Sequence, residues 1–209
     1  CSSDLDDYGI ERSFGHNLVA IDGDAKEAVF KVTPAEGEPQ EVVKPFDFIH
    51  VTPPQTAPDF IKASPLADEA GWIDVDHQVG TLRHTRYANV YSLGDVMNAP
   101  NAKTGAAVRK QAPVVAHNVV NHLNGVTDQD ETYDGYGACP LTVSYGKVML
   151  AEFVYGGVVT PSMPFDPKEP RKLYWQMKSK LFPFLQWNVM FKGRNWSVPG
   201  HAPLATEGS

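Results

Sequence analysis

The chain has 209 residues, 42% of them hydrophobic and 21% charged, and a net charge of −7. That length supports one large domain or two small ones around a buried core, in a composition ordinary for a globular protein. The acidic balance argues against a nucleic-acid partner, no apolar run is long enough to span a bilayer, and the N-terminus carries no signal-peptide pattern.

From Ile10 to about Val51 the chain reads as strands. Ala28–Val32 alternates, Val42-Val43 follows, and the Gly37-Glu-Pro stretch between them is a turn, as is Asp22-Gly-Asp24. Phe46-Asp-Phe-Ile-His-Val51 reads as a further strand, stopped by Pro53-Pro54, which cannot continue a ladder. Residues 55–80 read as loop and short helix. Asn89–Leu93 is expected to be a buried strand ending in a Gly94-Asp95 turn. A helix should then run from about Thr104 to Leu123 and stop at Asn124-Gly125. Val108, Val115, Val119 and Leu123 would form its apolar face, with a kink or loosening at Pro113. Two further strands are expected, about Leu141–Ser144 and Lys147–Tyr155, turned at Tyr145-Gly146. A Pro-rich loop occupies Thr160–Pro170, and a helical tail over Lys172–Phe191 should break at Pro183. The fold class is α+β within the chain.

Three features could carry chemistry. The first is the turn Gly94-Asp95 with Lys103, Thr104, Ala106 and Ala107 at the helix start. A carboxylate at a strand end suits a ribityl hydroxyl, and a helix N-terminus favours negative charge such as that on a reduced flavin ring. The small Ala106 and Ala107 would let a planar ligand approach the backbone. The pattern is that of the end of a flavin domain. No G-x-G-x-x-G occurs, so the pyrophosphate cradle of a dinucleotide fold is missing. The bland alternatives are an Asp that caps a turn and a solvated lysine.

The second feature is Cys139, in Tyr136-Gly-Ala-Cys-Pro140 ahead of a strand. It is either a reactive thiol, if nearby positive charge stabilises its thiolate, or a small buried hydrophobe. Cys1 is the other cysteine, and its position as first residue suggests a chain cut from something longer. Two cysteines make no disulfide framework, which points to a reducing compartment or a single reactive thiol. The third feature is the aromatic tail, including Phe182, Phe184 and Trp187, interspersed with Lys178, Lys180 and Lys192. Such a helix lies in a membrane interface or docks on protein. The seven histidines show no metal spacing, and no metal site is expected.

The chain also resembles the C-terminal portion of the sulfide:quinone oxidoreductases, flavoproteins built on the two-dinucleotide-domain plan of the disulfide reductases. The residues that carry it include His50-Val-Thr-Pro-Pro54, Ser64-Pro-Leu-Ala-Asp68, Gly71-Trp-Ile-Asp-Val-Asp76, Gly94-Asp95, Lys103-Thr104, Tyr133-Asp-Gly-Tyr136, Cys139-Pro-Leu141, Leu150-Ala-Glu-Phe153 and Pro183-Phe-Leu-Gln-Trp-Asn188. The resemblance implies an FAD-dependent oxidation of sulfide, through a cysteine persulfide, with electrons passed to a membrane quinone. Asp95 would bind the ribityl chain, and Lys103 and Thr104 would contact the isoalloxazine. Cys139 would be one of two redox cysteines, its partner not being Cys1. Tyr145, Phe153, Phe182, Phe184 and Trp187 would wall the quinone pocket. It further implies a remnant of the second dinucleotide domain over 1–80, the end of the FAD domain over 81–127 and a quinone- and membrane-associated region over 128–209. A monotopic protein of the bacterial inner membrane is expected, inactive as this chain alone, with homo-oligomerisation through apolar surface. The alternatives are a membrane- or partner-docking module without redox role, or a related FAD-dependent NADH:quinone-type enzyme.

Overall fold

In the computed structural model, residues 8–34, 37–126 and 128–194 are described. Cys1 lies outside them. The chain divides into two units, Cys1–Gln55 and Thr56–Ser209.

The first unit is an antiparallel meander of β1 (His16–Asp22), β2 (Glu27–Val32) and β3 (Gln40–Pro45). The β1–β2 turn is held by the Asp22 carboxylate, which accepts from the Asp24 and Ala25 amides at 3.0 and 2.9 Å. A bulge at Val19 shifts the register, after which Ile21 lies opposite Ala28. Leu18, Phe30 and Val42 are cross-strand partners, so the period-two pattern gathers one apolar face. The fourth strand expected at Phe46–Val51 does not form. Phe46 N–H makes a last bond to Lys26 O at 2.9 Å, after which Phe48 is exposed. With β3 at the sheet edge and Pro53-Pro54 ahead, that segment has no ladder to join.

The second unit has a core of Ile73, Val75, Leu82, Met97, Ala107, Val114 and Tyr133. It begins with a short helix, α1 (Asp59–Lys62). The strand expected at Asn89–Leu93 is reduced to one bridge, Tyr91 to Arg83, and Gly94–Val96 is a 3-10 turn. Isolated bridges (Ile73 to Met97, Val75 to His84) replace a ladder, because no neighbouring segment runs alongside for more than a residue. The chain is α+β, with two small sheets and few helices; a doubly wound parallel sheet is not among the described residues.

The long helix α2 (Gly105–Leu123) forms where expected. Thr104 Oγ1 accepts from Ala107 N–H at 3.2 Å, and the helix ends through Gly125 at φ +71° with Val126 N–H returning to Asn121 O. It continues as one element across Pro113. Its buried face is not the valine stripe. Ala107, Gln111, Val114, Asn118 and Asn121 are buried, whereas Leu123 is 77% exposed. The inward amides serve the backbone of adjoining loops, which apolar side chains could not satisfy. Asn118 donates to Thr81 O (3.0 Å) and Glu131 O (2.9 Å) and accepts from Glu131 N–H (2.7 Å), while Asn121 donates to Gln129 O at 2.9 Å.

A hairpin follows, β4 (Gly137–Ser144) and β5 (Lys147–Phe153), turned at Tyr145-Gly146 as expected. β4 starts earlier than the sequence suggests and includes Cys139 and Pro140, the proline being tolerated because a two-stranded sheet has only edges. The tail also departs from expectation. Instead of two helices broken at Pro183, α3 (Lys172–Gln176), a π turn (Met177–Leu181) and α4 (Phe182–Asn188) run on with right-handed helical dihedrals at each junction. The wide turn before Pro183 removes the clash of its ring with the carbonyl four residues back, so the helix bends its hydrogen-bond pattern rather than its course.

Candidate functional site

Gly94 has φ +76°, a left-handed conformation suited to glycine, and puts Asp95 on an exposed 3-10 turn. Gln111, 1% exposed on α2, accepts from Gly94 N–H at 2.8 Å. The turn is thus fixed to the helix whose N-terminus follows it in sequence. At that N-terminus Thr104 caps, Ala107 is buried, Ala106 is half-buried, and a Cβ added at Gly105 would meet nothing within 4 Å. Space is therefore open over the first α2 amides.

Lys103 is turned inward. Its Nζ donates to Met97 O at 2.7 Å and lies 4.1 Å from the centroid of Trp72. Burial lowers its pKa from the ordinary lysine value, and the Asp95 carboxylate works in the opposite direction. The ammonium in this conformation ties loops together, while Asp95 and the helix start face outward.

Three tyrosines lie beside α2. Tyr133, 4% exposed, accepts from Asn101 Nδ2 at 2.7 Å and donates to Tyr136 O. Tyr136 donates to Glu152 Oε1 at 2.6 Å, with Lys110 Nζ 5.5 Å from its ring centroid. Glu152, 3% exposed, is completed by Ser162 N–H and Oγ–H, each 2.9 Å from Oε2. Burial raises the pKa of both Tyr133 and Tyr136 above the ordinary phenol value. Tyr155 stacks edge-on with Tyr133 at 5.8 Å. Sequence patterns did not single out Gln111, Trp72 or Glu152 as site residues; amides at 111, 118 and 121 on an otherwise apolar helix were the available signal.

Cys139 is a free, half-buried cysteine inside β4, opposite Ala151. The β4 strand is tied to the tail by Lys178, whose Nζ donates to Pro140 O and Thr142 Oγ1, both at 2.8 Å. Tyr174, 3% exposed, packs on Val148 and Leu150. Leu181, Phe184, Trp187 and Phe191 remain exposed, at three- and four-residue spacings along the outer side of the tail.

The proposed quinone wall is not one surface. Phe153 covers Gly137 at one end of the hairpin, and Tyr145 is fully exposed at the other. At strand rise these two positions are roughly 25 Å apart, too far to share one small pocket. Phe182 is half-buried in the tail, alongside the exposed Phe184 and Trp187. Among the described residues no cluster of three His, Cys, Asp or Glu side chains could hold a metal, and no helix is long and apolar enough to cross a membrane.

The chain is similar to a set of longer proteins. It is 47% identical over 187 residues to the mitochondrial sulfide:quinone oxidoreductase of Dictyostelium discoideum, an overlap of 89% of this chain and 40% of that protein. The Mus musculus protein of the same name is 40% identical over 187 residues, covering 90% and 40%. That of Schizosaccharomyces pombe is 34% identical over 205 residues, covering 93% and 43%. A chain in the cryo-EM structure of the Tetrahymena thermophila mitochondrial ATP synthase superposes with TM-score 0.72 at 25% identity, covering 88% of this chain and 44% of that one. No family model matches. The chain therefore spans about 40% of the curated relatives' length, and it is related to the sulfide:quinone oxidoreductases, as the sequence motifs indicate. The bacterial inner membrane is corrected by the same findings: these relatives are mitochondrial proteins of eukaryotes.

Proposed function

We propose that this chain is the C-terminal portion of a sulfide:quinone oxidoreductase, a flavoprotein that oxidises sulfide and reduces a quinone. The observation that carries the reading is the 47% identity over 89% of the chain, joined to a fixed turn and open helix start of the kind a flavin edge requires. The residues present fit one edge of FAD. Asp95 is an exposed carboxylate for a ribityl hydroxyl, and the open first turn of α2, beside Thr104, Ala106 and Ala107, offers N–H groups and a positive dipole end to the ring. Lys103 supports that edge from behind through Met97 and Trp72. The pyrophosphate half has no counterpart in the chain, so the chain alone binds FAD weakly. When bound, FAD supplies the two-electron redox chemistry.

Cys139 is the thiol of this portion available for sulfur transfer, with its redox partner supplied by another part of the enzyme. The exposed Phe184 and Trp187, with Phe182 beneath, form the side from which an apolar quinone and a membrane surface are met. In the full-length enzyme, Cys139→Ser should leave bound flavin intact and abolish sulfide-dependent reduction of a soluble quinone. Unchanged turnover would remove Cys139 from the chemistry. The second reading is a docking module without redox role, favoured by the likeness to a chain found within an ATP synthase assembly. A full-length protein free of flavin would decide for it.

A further inference from the structure

The tail crosses the β4–β5 hairpin from one edge to the other. On the outer edge of β5, Val148 N–H donates to Arg171 O at 3.2 Å and Arg171 N–H donates to Val148 O at 2.9 Å. Both backbone groups of Val148 therefore point away from β4, which makes Val148 and Thr142 a non-hydrogen-bonded pair. Leu150 and Pro140, the next pair of that kind, leave the Pro140 carbonyl pointing out from the far edge of β4. Lys178 Nζ meets that carbonyl and Thr142 Oγ1, both at 2.8 Å. Between the two edges Tyr174, 3% exposed, lies on Val148 and Leu150, with Trp175 and Met177 packed beside it. The step from Arg171 to Lys178 rises roughly 10 Å as helix, enough to cross two strands about 4.8 Å apart. Pro140 and Thr142 share this face of the hairpin with Val148 and Leu150, whereas Cys139 projects from the opposite face, across from Ala151.

We propose that this crossing is a clasp and that Lys178 is its positioning residue: by holding Pro140 and Thr142 it fixes the strand that carries Cys139 to the tail, so that the thiol and the apolar side of the tail keep one geometry. The proposal rests on the thiol and quinone-side roles given above and adds the residue that holds those parts in register. Lys178 suits the task because its ammonium carries several donors on a long stem and reaches two acceptors of one strand at once. Methionine has the length without a donor, and arginine keeps the donors. Pro140 suits it because a residue without an N–H costs no ladder bond at an outward-facing position, while its carbonyl stays available to the lysine. Cys139 precedes Pro140 directly, so a shift at that carbonyl reaches the thiol through a single peptide unit.

The test uses the 209-residue chain. Labelling of Cys139 by a pyridyl disulfide, resolved from Cys1 by peptide mass spectrometry, reports β4, and amide exchange at Arg171 reports the hold of the clasp on β5. Lys178→Met should speed Arg171 exchange about tenfold, the factor carried by a charge-assisted hydrogen bond, and should speed Cys139 labelling several-fold. Lys178→Arg, which can still donate to both acceptors, should return both rates to within about twofold of the wild-type protein. Lys180→Met removes the same charge from an exposed position in the same π turn and should change neither rate. If Lys178→Met does not fold, Thr142→Val replaces it: it removes one of the two acceptors at nearly constant volume and should give a smaller effect of the same sign, about threefold. Faster Arg171 exchange with unchanged Cys139 labelling overturns the proposal, as does a Lys178→Arg protein that behaves like Lys178→Met or a Lys180→Met protein that does. The turnover of full-length Cys139→Ser judges the thiol reading alone: an active variant would sink that reading while leaving the exchange and labelling results to judge the clasp.

Discussion

Asn118→Leu keeps nearly the same volume at a position that is fully buried but removes three hydrogen bonds. It leaves Thr81 O, Glu131 O and Glu131 N–H without these partners inside the unit. At about 1 kcal/mol net per bond, with part of the penalty for stranded groups added, the cost is about 3–4 kcal/mol. Leu123→Ala, at a position 77% exposed, should stay within about 0.5 kcal/mol. The hydrophobic pattern alone would rank these two the other way. All four tryptophans lie in the second unit's sequence, so their fluorescence in urea follows that unit. At a slope of about 2 kcal/mol per molar, Asn118→Leu should move the midpoint down by about 1.5–2 M, with the slope unchanged, and Leu123→Ala should hardly move it. A shift below about 0.5 M for Asn118→Leu, or a larger shift for Leu123→Ala, would refute the amide-faced packing of α2.

Burial, followed by the nearby Asp134 charge, pushes Tyr155 up to about 12, so its contribution to stability is complete below the unfolded phenol value and is lost as pH rises from about 10 towards 12. Its hydroxyl is buried without a partner, so Tyr155→Phe should be tolerated at neutral pH and should flatten the alkaline loss seen in thermal melts; an unchanged alkaline profile would count against this. If the outer side of the tail meets lipid, the double variant Phe184→Ala/Trp187→Ala should lower co-sedimentation with anionic vesicles at least about tenfold, and salt should weaken only the part due to the lysines. Equal binding by wild type and variant would show that those side chains do not enter the bilayer.

Several elements were legible because the residues that make them act locally. Thr104, Asn124 and Gly125 cap α2 through bonds within a few residues, and Tyr145-Gly146 turns the hairpin in place. Asp22 holds its own turn. The motif resemblance was legible for a different reason: short runs such as Cys139-Pro-Leu141 and Pro183–Asn188 stand as residue strings, whatever they contact. What failed were inferences that needed a neighbour. Phe46–Val51 has strand-forming residues but no ladder to join, and Asn89–Leu93 makes a single bridge. The valines of α2 follow helical spacing, yet loops packed against the helix required donors and acceptors, and the amides took the inner face.

The sequence by itself therefore determined the locally capped elements, the family relationship and the list of candidate residues. Only the tertiary structure decided which of those residues meet. It turned Lys103 onto Met97 and Trp72, placed Tyr145 and Phe153 at opposite ends of one hairpin, and fixed the Gly94 turn to Gln111 on α2. The physical reason is that a buried polar group must find its partner wherever the fold brings one, and those partners lie 17 to 38 residues away in several of these contacts, beyond the reach of any local pattern.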